Sequence, residues 1–122
     1  MRDFVFKGYI INVDGNHVTI RVDTDYIEKI SHILIMHNKK QTTGNFITIN
    51  TKTCNFDIKN LNWDEPKDLV GVHVEVICFV RVSEFYTKIK FPKDIYVDNS
   101  YVCERRPIKL VSFVAKTIAN KD

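Results

Sequence analysis

Apolar and polar residues alternate with a period of two over most of the chain, most cleanly in residues 66–86. There Val74, Val76, Cys78, Val80 and Val82 form one row, small and mostly β-branched, as a buried strand face requires. The opposite row, Glu75, Ile77, Phe79, Arg81 and Ser83, mixes charges with large apolar groups. Pro66 lacks a ladder donor and Gly71 permits a tight turn, so the strand is expected to begin after them.

The same period appears at the front. Phe4, Phe6, Gly8 and Ile10 share a row in residues 4–13, and Val18, Ile20 and Val22 share one in residues 17–23. Asp14-Gly15-Asn16 between them predicts a hairpin turn. With both rows buried, Lys7, Tyr9, Thr19 and Arg21 fall on one exposed face. Residues 25–37 carry two patterns. Asp25 with Glu28, then Ile27, Ile30 and Leu34, fits a helix, whereas Ile33-Leu34-Ile35-Met36 also fits a short strand. The helix is the preferred reading, and the polar residues 38–45 are expected to form a loop.

Residues 46–53 read as a strand that extends through Cys54, Phe56 and Ile58. The apolar parity switches from Ile47 and Ile49 to those three, which predicts a bulge or sharp coiling. Residues 60–68 connect it onward, with Trp63 expected to plug one end of the core. Residues 86–107 look like a long loop that has room for a short hairpin at Ile89, Ile95 and Val97, and residues 108–118 like the last strand, with residues 120–122 frayed.

A length of 122 residues bounds the chain to a single domain, residues 1–122. The three cysteines are widely spaced, form no CxxC and join none of the four histidines at a zinc-ligand spacing. No metal or cofactor is therefore expected, and an intracellular, reducing compartment (cytoplasm or nucleus) is. No apolar run approaches a membrane span, and no signal peptide is apparent. The net charge of +3 is compatible with a polyanionic partner without requiring one.

Five strands with one long loop before the last predict a mainly β protein: a small five-stranded closed barrel with one short helix and long β-loops. The segments FVFKGYIINVDGNHVTIRV, DLVGVHVEVICFVR and LVSFVAKTI together resemble the OB-fold of single-stranded nucleic-acid-binding proteins. Residues 24–45 depart from that pattern, because the family usually places its helix between strands three and four. The resemblance implies a partner, single-stranded DNA in preference to RNA, bound across strands two and three and flanked by the loops between strands one and two and between strands four and five. It implies a place in replication, repair or genome maintenance.

Binding of that kind requires aromatic faces for stacking and cations for phosphate. Tyr9, Tyr86 and Phe91 are the stacking candidates, and Lys7, Arg21, Arg81, Lys88, Lys90, Arg105 and Arg106 the phosphate contacts. Core packing competes for each aromatic, and ordinary solvation for each cation. Phe79, beside the apolar Ile77, is assigned to the core. No nucleophile motif, Gly-rich phosphate loop or HExxH points to catalysis, and Asp23 with Asp25 reads as helix capping. An adaptor that binds protein partners or self-associates is the rival reading.

Overall fold

A computed structural model describes residues 2–37, 44–92 and 101–120, with side chains outside 85–92 and 101–107. Two compact units divide the chain: residues 1–81 with 112–122, and residues 82–111.

The first unit contains the barrel. β1 (Asp3–Asp14) pairs antiparallel with β2 (His17–Val22) on one side and with β5 (His73–Pro92) on the other. β2 pairs antiparallel with β3 (Phe46–Asn50), and β5 neighbours β6 (Tyr101–Ala119). A parallel pairing of β3 with β6, at Asn50 opposite Val114, closes the circle. The short β4 (Asn55–Asp57) adds in parallel to the far end of β6. This is the mainly β, five-stranded, OB-like closed barrel that the sequence predicts, with one helix.

The alternation puts the predicted rows inside. Phe6, Ile10, Val18, Ile20, Ile49, Val76 and Cys78 are fully buried. Each such Val, Ile or Phe contributes roughly 1.5–3 kcal/mol by leaving water. Phe113 meets the ring of Phe4 edge-on at 6.2 Å, so the last strand is locked to the first through the core. Gly15 has a φ of 57° and Asn16 does not share that sign, as in a two-residue hairpin turn whose first central position is glycine. The β1–β2 register shifts between Ile10 and Asn12, a bulge that sharpens the coiling a small barrel needs.

Residues 25–37 resolve in favour of the helix: α1 spans Thr24–Met36 and buries Ile30 and Leu34. Lys29 Nζ donates to the carbonyl of Val5 at 2.9 Å, and Gly44 N–H donates to Ser31 Oγ at 2.6 Å. The helix is thus tied to β1 and to the residues that lead into β3. Its N-cap is Asp23 rather than Asp25, and the Asp23 carboxylate makes no capping hydrogen bond.

Several expectations are corrected. The parity switch after Ile49 is a break, not a bulge within one strand: β3 stops at Asn50, and Cys54 N–H returns to the carbonyl of Thr51 at 3.1 Å. Thr51 is buried there with its N–H and hydroxyl both on the Asn16 carbonyl, at 2.7 and 3.1 Å. Trp63 is half-buried and packs on Phe56 at 5.8 Å, outside the main core. The fully buried residue of that connector is Leu69, at the end of a 3-10 turn, Pro66–Leu69, capped reciprocally by Glu65 and Asp68. Val82 is 46% exposed, so the buried row of β5 ends at Val80. The stretch read as a loop over residues 86–107 is strand up to Pro92 and again from Tyr101. Asn120 is not frayed, because its side chain accepts from Lys59 N–H at 2.8 Å and donates to Lys59 O at 2.7 Å.

Cys54 and Cys78 are free thiols. Burial pushes the Cys54 thiol up to about 11, against a smaller opposing hydrogen bond from the Ile118 backbone. The thiolate is the reactive form, so iodoacetamide at about pH 8 should leave Cys54 largely unmodified. Peptide mass mapping should show its alkylation rising only as pH approaches that value.

Candidate functional site

The outward rows of four strands meet in one line. In the β2–β3 register Phe46 stands opposite Arg21, in the β1–β2 register Arg21 stands opposite Tyr9, and in the β1–β5 register Tyr9 stands opposite His73. Adjacent strands lie about 4.8 Å apart, so Phe46 and Tyr9 are about 10 Å apart across the sheet, with Arg21 between them. Both rings are solvent-accessible, Tyr9 at 38% and Phe46 at 43%.

The row is held from its β5 end. The His73 ring lies 4.6 Å from that of Tyr9, and His73 Nε2–H donates to Asp23 Oδ2 at 2.6 Å. Asp23 is the N-cap residue of α1, so its carboxylate is directed to the barrel face instead of to the helix backbone. Arg21 Cζ lies over the Tyr9 ring, 5.2 Å from its centroid. The guanidinium is held over the tyrosine ring as a cation–π contact, and it makes no ion pair among the described residues. One strand-pair step away, Thr19 and Thr48 share a hydroxyl hydrogen bond of 3.0 Å that pins β2 to β3.

An open groove of about 600 Å³ runs beside this row. Tyr9, Arg21 and Phe46 line its strand side, and Asp23, Thr24, Asp25 and Ile27 line it from the start of α1, with Asn45 at the entry to β3. That volume is in the range of small-ligand sites, and its mixture of aromatic, cationic, hydroxyl, amide and carboxylate groups can stack and hydrogen-bond a planar ligand. A second groove of about 500 Å³ lies on the outer face of α1 among Asp25, Glu28, Lys29, His32 and Ile33. It holds charges of both signs and, for a ring, only the imidazole of His32.

Of the predicted site residues, Lys7, Tyr9 and Arg21 come together on the outer face, with Lys7 directly across from Glu75. Arg81 is exposed on the same outer row of β5 as His73, eight positions further on. At about 3.3 Å per residue that is ~26 Å from the Tyr9 row, so Arg81 is not part of this groove. The side chains of Tyr86, Lys88, Lys90, Phe91, Arg105 and Arg106 lie outside the described residues. Phe79 is corrected: it belongs to the outer row, half-buried, with Lys116 Nζ 5.7 Å from its ring centroid and Lys116 paired to Asp3 at 2.8 Å.

Phe46, His73, Asp23 and Asp25 were not among the predicted site residues. For Phe46 the signal was present, because Ile47 and Ile49 point inward and the even positions must point out. His73 follows in the same way from the buried Val74. The roles of Asp23 and Asp25 depend on where the helix docks, which alternation does not encode.

No protein-family model matches the chain, and neither do the curated proteins or the solved structures with which it was compared. The fold is a closed five-stranded mixed β-barrel, consistent with an OB-like architecture. Among the described residues, no helix is long and apolar enough to cross a membrane.

Proposed function

We propose that the protein binds single-stranded nucleic acid, DNA in the first instance, across the outer face of β1, β2 and β3. The observation that carries this reading is the line Phe46–Arg21–Tyr9, in which two accessible rings flank an unpaired guanidinium on an OB-like barrel. Bases stack on Phe46 and on the guanidinium that covers Tyr9, since planar cationic groups stack bases as rings do. Lys7 and Arg21 draw the phosphate backbone. A role in replication, repair or genome maintenance follows from this activity, and no catalytic step is part of it.

Fluorescence anisotropy with a labelled oligo-dT of about 20 nucleotides tests the reading, since an OB-fold covers ~4–16 nucleotides. Binding at low salt is expected, weakening as salt rises because counterions are released. Phe46→Ala should weaken binding about tenfold, within the 1–3 kcal/mol that stacking contributes per base, and Arg21→Ala should also flatten the salt dependence. An oligo-rU arm compares RNA with DNA. Flat anisotropy with both at tens of micromolar protein would sink the proposal and favour a protein-binding adaptor.

A further inference from the structure

A groove that only tracked phosphates would be lined by cations, and this one sets a single guanidinium, that of Arg21, against carboxylates. Two carboxylates enter it from the start of α1, those of Asp23 and Asp25. Asp23 is engaged by His73 at 2.6 Å, within the barrel face. Asp25 is exposed, stands on the rim between this groove and the one on the outer face of α1, and makes no hydrogen bond or ion pair among the described residues. Its place in the first helical turn is favourable to a negative charge, which explains why the helix tolerates it and leaves its oxygens available. Beside it, Thr24 and Asn45 supply a hydroxyl and a carboxamide.

From this arrangement we infer that the groove reads a base edge and that Asp25 makes it prefer guanine. This rests on the single-strand-binding reading above. A base held flat against Phe46 and the Arg21 guanidinium turns its edge toward the helix start. A carboxylate offers two acceptor oxygens and no donor. Guanine is the base whose pairing edge carries two adjacent donors, N1–H and the N2 amino group, so both oxygens of Asp25 are satisfied at once. Cytosine and adenine offer one amino group beside an acceptor nitrogen. Thymine and uracil offer one N–H between two carbonyl oxygens, which a carboxylate repels.

The test compares a run of about ten thymidines with the same oligonucleotide carrying one central guanine, by anisotropy. The wild-type protein should favour the guanine-containing strand about fivefold, the lower end of what a bidentate contact to a base edge discriminates. Asp25→Asn should bring that ratio to about one, whatever its absolute affinity, because the amide replaces one acceptor with a donor. Glu28→Gln, on the same helix but lining the other groove, should keep the ratio. Equal wild-type affinities would overturn guanine selection and leave single-strand binding standing. A preference that survives Asp25→Asn would overturn the assignment to Asp25. Failure of both strands to bind would overturn this inference together with the reading beneath it.

Discussion

Gly8→Ala is expected to destabilise the protein by about 3 kcal/mol, at the upper end of the usual cost of overpacking. Gly8 is on the inward row of β1, opposite Val22 on β2 and Val74 on β5. A Cβ there would run into the carbonyl oxygen of Arg21 and come within 2.6 Å of Cγ2 of Ile20. The first obstacle is backbone, which cannot rotate aside as a side-chain tip can. Relief requires β2 to move away from β1, and β2 is also pinned to β3 by the Thr19–Thr48 hydrogen bond. Urea unfolding should show a lower midpoint with an unchanged slope. Because the strained carbonyl belongs to Arg21, the same variant should lose oligonucleotide affinity before it unfolds. A midpoint equal to wild type would mean that the strands separate at that point without cost.

Leu69→Ala should cost about 3 kcal/mol, within the 2–5 kcal/mol typical of a buried leucine. Leu69 is fully buried, and its carbonyl accepts from Val72 N–H at 3.0 Å at the entry to β5. The turn that presents it is fixed by Pro66 and by the reciprocal caps of Glu65 and Asp68, so it has little freedom to collapse into the cavity. Trp63→Ala in the same connector should cost less, although the side chain is larger, because Trp63 is half-buried against Phe56 and not in the core. The pair of denaturation curves decides which residue stops the end of the barrel. A greater loss from Trp63→Ala would return that part to the tryptophan.

The barrel was legible because its strands obey a period of two. Once Phe4, Phe6, Val18, Ile20, Val74 and Val76 are assigned inward, the outward positions of Lys7, Tyr9 and Arg21 follow without further information. The helix was half-legible. Ile30 and Leu34 sit at helical spacing, while the β-like run around Ile33–Met36 competed, and burial of the two stripe residues decided it. What alternation could not show was the order of strands around the barrel. The register that sets Phe46 beside Arg21, and Tyr9 beside His73, joins residues far apart in sequence. The docking of α1, which turns Asp23 toward His73, is likewise a tertiary outcome. Trp63 and Leu69 were exchanged for a related reason: size alone favoured the tryptophan, but the capped turn aims the leucine.

The parallel contact between β3 and β6, at Asn50 and Val114, has a consequence for how the chain acquires its structure. The β1–β2 hairpin needs only a two-residue turn, so it forms early and locally. Closure of the barrel waits for a strand near the other end of the chain, and joining such distant segments costs loop entropy before any contact offsets it. Until β6 arrives, β3 and β5 each present an unpaired edge, the kind of surface to which another chain can add. Refolding should therefore fall in the millisecond-to-second range of non-local β topologies, with aggregation as its competitor at high concentration. The clamp of Asn120 on Lys59 then acts as a latch on the last step rather than a seed of the first.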